Sequence, residues 1–152
     1  MNEDIAEVMQ SDHERLDKLL ERSAQAVSEG RWSDAAAELE TFRKGIVDGH
    51  MSVEEEFLFP AFENWESGEE HALTALLRKG HSDLKMFFLE MAEAIDQQNA
   101  EDFGDLLSTV QTILKQHDAK EESELYPHLA EALSDHGADA IQRLRTLQET
   151  HS

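Results

Sequence analysis

The chain has no cysteine among its 152 residues, which removes disulfides, zinc fingers, thiol redox chemistry and cysteine-ligated iron-sulfur clusters from consideration. Any metal must be held by nitrogen and oxygen. Proline occurs twice and glycine seven times, while residues that favour helices (Ala, Leu, Glu, Gln, Met) dominate, so the composition points to an all-α fold. Basic residues are scarce: 13 Lys plus Arg stand against 34 Asp plus Glu, a formal charge of -21. A nucleic acid duplex or an anionic membrane would be repelled, and neither is expected as a partner. No run approaches the roughly 18 apolar residues of a membrane span. Met1-Asn2-Glu3-Asp4 lacks the basic start of a secretory signal, so the expected compartment is the cytoplasm.

A chain of 152 residues suits one domain around a single core, so a metal is not needed to rescue a tiny fold. Apolar residues recur at helical spacing in four stretches, separated by polar or glycine-bearing turns such as Ser28-Glu29-Gly30 and Ser67-Gly68. The pattern predicts helices over about 3–28, 32–65, 69–97 and 101–133. Their core stripes are Ile5, Met9, Leu16 and Leu20; Leu39, Ile46, Val53 and Phe57; Leu73, Leu77, Leu84, Phe88 and Ile95; and Leu106, Val110, Ile113 and Leu125. Short connections make consecutive helices antiparallel neighbours, giving an up-down-up-down antiparallel four-helix bundle. A short C-terminal fifth helix over about 137–150, with Ile141, Leu144 and Leu147, is expected to lie outside the bundle in the same domain, 1–152.

The chain also repeats itself. The segment His50-Met51-Ser52-Val53-Glu54-Glu55-Glu56-Phe57-Leu58-Phe59-Pro60 superposes on His117-Asp118-Ala119-Lys120-Glu121-Glu122-Ser123-Glu124-Leu125-Tyr126-Pro127, offset by 67 residues. His13 falls on His81 at nearly the same offset, 68. Two copies of one helical hairpin are implied, each carrying a histidine and then His-x-x-x-Glu.

Residues four apart on a helix share a face, so His50 with Glu54, and His117 with Glu121, each present a nitrogen and an oxygen together. In an antiparallel bundle of two such hairpins, His13 and His81 can meet these pairs. The result is four imidazoles and two carboxylates, enough for two metal ions, with both glutamates placed to bridge. This donor set suits iron or manganese better than calcium. Two ferric ions with two carboxylates and an oxo bridge leave a charge of roughly +2, and two ferrous ions with a hydroxo bridge about +1. A lone His-x-x-x-Glu pair would be weak evidence, an exposed contact worth about 0.5 kcal/mol at most. Here each histidine stands four residues after an apolar stripe residue: Met9, Ile46, Leu77 or Ile113. Six inward polar groups would cost roughly 1–3 kcal/mol apiece if unsatisfied.

The remaining candidates read as structural. His71, His128, His136 and His151 are expected at the surface or in turns, and Glu55, Glu56, Glu122 and Glu124 in solvent. Phe57, Phe59, Phe87, Phe88, Trp32, Trp65 and Tyr126 are expected to pack the core or its caps. Pro60 and Pro127 should kink or end their helices just beyond the ligand pairs, and Gly45 and Gly49 can permit close helix approach.

The repeated His, then His-x-x-x-Glu-Glu-x-x-Leu-aromatic-Pro, resembles the hemerythrin-like, His-His-Glu cation-binding family over residues 11 to about 130. The resemblance implies a four-helix bundle with a non-haem di-iron centre whose metal ligands are His13, His50, Glu54, His81, His117 and Glu121. Oxygen-carrying members have a further histidine four residues after the third-helix ligand, where this chain has Lys85, and an aspartate where it has Glu121. Four histidines leave both irons open, which favours binding or reducing a small oxidant (dioxygen, peroxide or nitric oxide) over reversible oxygen carriage. The ligand count is similar to that of bacterial proteins that repair iron-sulfur clusters, although those carry a cysteine-bearing domain. The expected role is therefore a cytoplasmic di-iron protein of stress response or sensing, supplied by an unidentified electron donor, with enzymatic turnover left open. The alternatives are an iron donor or store for cluster repair and a metal-free interaction bundle.

Overall fold

The computed structural model describes residues 4–66, 71–133 and 136–151, the side chains of 149–151 excepted. The expected turn at Ser67-Gly68 and the His151 side chain lie outside these residues. Helix α1, Ile5–Ser28, starts where the Asp4 carboxylate accepts the Ala6 N–H at 3.0 Å, satisfying one of the donors a helix start leaves free. The chain reverses at Gly30, whose φ of 70° suits a residue without a Cβ. The second rod begins as α2, Trp32–Arg43, widens into π-helical turns over Lys44–Met51 and Glu54–Leu58, and finishes as α3, Phe59–Glu66.

The third rod is α4, Ala72–Asp96. The chain turns back through Gln98, at φ 55°, and Asn99, whose side chain accepts the Asp102 N–H at 3.0 Å. The fourth rod opens as α5, Ala100–Lys120, passes through π turns at Glu121–Leu125 and a 3₁₀ turn at Tyr126–His128, and ends as α6, Leu129–Leu133. Helix α7, Gly137–His151, packs on the π segment Lys44–Met51 and on α1. The architecture is thus the expected all-α antiparallel bundle with an added C-terminal helix.

Two details differ from the sequence reading. The prolines do not end their rods. In each of these two rods the last π segment stops two residues before a proline, at Leu58 before Pro60 and at Leu125 before Pro127, and helix continues beyond. The changed turn type accommodates the missing N–H and the ring, so the rod need not break. In the fourth helix the buried stripe is Phe103, Val110 and Leu114, while Leu106 and Ile113 are half-buried, because this helix turns a slightly different sector to the core.

The core has two apolar layers. One gathers Leu20, Leu39, Phe42, Phe88, Met91, Phe103 and Val110, and the other Met9, Val53, Leu58, Phe62, Leu77, Leu125 and Leu129. Along α1 the two are separated by the buried polar pair Asp12 and His13. Phe42 and Phe88 meet edge to face at 5.2 Å between ring centroids, with both side chains fully buried. Replacing Phe42 by alanine should cost about 3–5 kcal/mol, a large share of a typical total of about 5–15 kcal/mol. Urea denaturation followed by circular dichroism would read it as a lowered midpoint.

Candidate metal centre

Between the two apolar layers all six side chains singled out by the repeat converge. Buried there are His13, His50, Glu54, His81 and Glu121, and the His117 side chain is only 8 % exposed. They fall into two groups of ligand atoms, each within 4.8 Å of one another: Glu54, His81, His117 and Glu121, and His13, His50 and Glu121. Glu121 belongs to both. His117 Nε2 lies 3.4 Å from Glu121 Oε2 and His13 Nε2 3.3 Å from Glu121 Oε1, so the two carboxylate oxygens face opposite halves. Glu54 Oε1 is 3.1 Å from His81 Nε2 and 3.7 Å from His50 Nε2, and so faces both halves too.

The local backbone explains this convergence. His50 lies in the first π segment, Glu54 opens the second, and Glu121 opens the third. A π turn rotates each residue less about the axis than an α turn does, and such turns recur at functional sites. The ligand pairs therefore sit where the helices widen inward.

The donor set passes a direct test of fit. His50 Nε2 and Glu121 Oε2 are buried without a hydrogen-bond partner, an arrangement that ordinary packing avoids and that a cation in each half of the site would relieve. Nitrogen and carboxylate donors without sulfur match a first-row transition metal. The electrostatics agree. Burial pushes the Glu54 carboxyl up, but the imidazoles of His50, His81 and His117 outweigh it and hold it down at about 2, so Glu54 is a carboxylate at neutral pH. Burial lowers His117 to about 4, helped by the neighbouring His81, His50 and His13, so its ring is neutral and able to ligate. Burial also opposes charge on His81, yet contact with Glu54 and Glu55 lifts it to about 8. The Glu54 and Glu55 carboxylates thus favour positive charge at His81.

Three residues escaped the sequence reading. The Tyr126 hydroxyl, expected merely to pack, lies 3.1 Å from His13 Nε2 and 3.4 Å from both Glu54 Oε2 and Glu121 Oε1. Burial and the surrounding carboxylates raise this phenol well above its ordinary value. Asp118, raised to about 6 by burial, lies 3.3 Å from His13 Nε2. Asp12 accepts a hydrogen bond from His50 Nδ1 at 2.8 Å. Asp12 and Asp118 adjoin His13 and His117 in the chain, the one signal that could have marked them.

Other candidates fall where expected or nearby. His71 occupies the left-handed turn before α4, 3.0 Å from Glu66, and His136 is exposed beside Asp139. His128 stacks on Trp65, and Phe59 stacks on His81 at 5.4 Å, walling one side of the centre. Lys85 is partly exposed, its Nζ 3.8 Å from Glu55 Oε2. Glu55 and Glu122 are partly exposed, but each faces a histidine: Glu122 lies 3.5 Å from His13 Nδ1, and Glu55 3.8 Å from His81 Nδ1.

Because Glu121 serves both groups and His13 only one, Glu121→Ala should weaken metal uptake more than His13→Ala. Each loss is expected to reach at least the ~10–100-fold typical of removing an outer-shell partner. Titration of metal-free protein against a competing chelator would check the order.

Comparison with known proteins bears on the same residues. No curated protein and no solved structure matches the chain. The family model described as Hemerythrin HHE cation binding domain matches residues 4–129, a span that includes all six converging side chains. On that match, and with the bundle and its buried histidine and glutamate groups in place, the chain belongs to the hemerythrin HHE cation-binding family.

Proposed function

We propose that this chain is a non-haem di-iron protein that binds or reduces a small oxidant, namely dioxygen, peroxide or nitric oxide. Its setting would be cytoplasmic stress response or sensing, with electrons from an external donor. In this reading Glu54 and Glu121 would hold both ions, with His13 and His50 completing one position and His81 and His117 the other. The observation that carries it is a convergent donor set of six side chains, five of which (His13, His50, Glu54, His81 and His117) line a cavity of about 10 Å³ together with Asp17, Asp118, Leu16, Phe42, Ile46, Met51 and Leu114. That space is on the order of one water-sized sphere, far too small for an organic substrate.

Two ferrous ions would supply electrons and Lewis acidity to the bound molecule. The chain's own residues do the rest. The two carboxylates offset the charge of the ions, and the neutral imidazoles fill positions without cancelling it. Four histidines, with Lys85 beside Glu55 where a fifth would stand, would leave coordination positions free. The Tyr126 hydroxyl provides a hydrogen-bond donor beside His13, and Phe42, Ile46 and Leu114 give the cavity an apolar side.

A combined optical and Mössbauer spectrum of protein produced with iron should report two bridged irons per chain. Stopped-flow spectra of the anaerobic ferrous protein should then change on mixing with at least one of the three oxidants. Silence toward all three would remove the oxidant reading while leaving the metal centre standing.

A second reading, an iron donor or store for cluster repair, draws support from a groove of about 620 Å³ between α1 and α5. It is lined by Glu14, Asp17, Glu21, Asp118 and Glu122 and reaches His13. Such a channel attracts cations. Transfer of iron to an apo-cluster protein without consumption of oxidant would favour this reading, and iron that competing chelators cannot remove would end it.

A further inference from the structure

The internal repeat is nearly symmetric in space, and the place where the symmetry fails carries information. Each half donates one glutamate to the other half's lone histidine: Glu122 faces His13 Nδ1, and Glu55 faces His81 Nδ1. The histidines of the His-x-x-x-Glu pairs are treated differently. At the residue before the lone histidine, one half has Asp12 and the other Gly80. Asp12 Oδ2 accepts the His50 Nδ1–H at 2.8 Å, with both side chains almost wholly buried. A Cβ at Gly80 would come within 3.0 Å of His117 Nδ1, so the His117 ring fills the space in which an aspartate would stand. Among the described residues no carboxylate faces His117 Nδ1, and the contact of that ring with a carboxylate is through Nε2.

Asp12 is itself held from two sides. Its Oδ1 accepts Arg15 Nε–H at 2.8 Å and the Gln148 side-chain amide at 2.7 Å. Gln148 belongs to α7, beyond the last residue matched by the family model. The C-terminal helix, packed on the π segment that carries His50, thus fixes the carboxylate that fixes the ring.

We propose that Asp12, held by Arg15 and by Gln148 of the C-terminal helix, is a positioning residue that makes the two metal positions unequal, the His13/His50 position binding more tightly than the His81/His117 position. The physical reason is general. A carboxylate accepting the Nδ1–H locks the tautomer that directs Nε2 to the metal and makes that nitrogen a stronger donor. His50 Nε2 is one of the buried nitrogens without a hydrogen-bond partner, and its ring lines the central cavity. His117 has no such support. The proposal rests on the metal reading above and adds an order of filling to it.

The test uses the full chain, stripped of metal and titrated anaerobically with ferrous iron against a competing chelator. The wild-type protein should bind in two resolved steps. In Asp12→Asn, nearly isosteric but uncharged, the tight step should weaken by about 10–100-fold, the range for losing an outer-shell partner, with the weak step little changed. Mössbauer spectra of isotopically enriched iron should show one quadrupole doublet altered and the other retained, which a general loosening of the bundle would not produce. Gln148→Ala leaves every ligand and Asp12 in place. It should weaken the same step by a smaller factor, and it serves as the readout if Asp12→Asn fails to fold. Two equal steps in the wild-type protein, or equal weakening of both steps in the variants, would overturn the proposal while leaving the metal centre intact. Absence of any iron binding would overturn both.

Discussion

A layer of ionisable side chains lies across the middle of a hydrophobic core, and the rest of the molecule is arranged around keeping it there. Two apolar clusters close on the layer from above and below. Unsatisfied polar groups in such a place cost roughly 1–3 kcal/mol each, and more when charged. The mutual contacts of imidazole and carboxylate recover part of this, but they leave His50 Nε2 and Glu121 Oε2 unpaired. Without a cation the layer is under-satisfied, and with one its atoms become a ligand shell. A cation held by these donors would therefore stabilise the folded chain.

The backbone yields to that layer. Glu54 and Glu121 open π segments in both helices that bear the His-x-x-x-Glu pairs, and both segments finish two residues before a proline. The irregularity falls at the ligands, where it brings His50, Glu54 and Glu121 inward, while α1 and α4, which each contribute one histidine, remain unbroken. Phe59 and Tyr126, equivalent in the repeat, take different roles: the first stacks on His81, and the second places its hydroxyl among His13, Glu54 and Glu121. One added oxygen atom thus gives one half of the centre a polar group that the other lacks.

Asymmetry of this kind is the main departure from the duplicated plan. Tyr126, Asp118 and Asp12 all lie against the histidines of the His13/His50 half. The opposite half has an apolar ring over His81 and a glycine beside His117. The acidic groove between α1 and α5 also reaches the centre at His13. Chemistry that needs two unlike positions, one of them better supported and nearer the surface groove, would find them in this arrangement.

The sequence by itself determined the helices, their antiparallel order and the convergence of His13, His50, Glu54, His81, His117 and Glu121. Each of these follows from spacing along one chain: the period of a helix, the short turns, and a repeat that puts like residues at like depths. The tertiary structure decided what depends on contacts between elements. The widening of the helices at Glu54 and Glu121 answers to packing and to the prolines downstream, and no propensity announces it. Tyr126 looked like any core aromatic, because only the fold shows which way a hydroxyl on a buried ring points. Gln148 lies 136 residues from Asp12, and a hydrogen bond across that distance has no periodic signature. Local spacing is written in the chain, whereas the partner that a side chain meets across the bundle is fixed only when the helices pack.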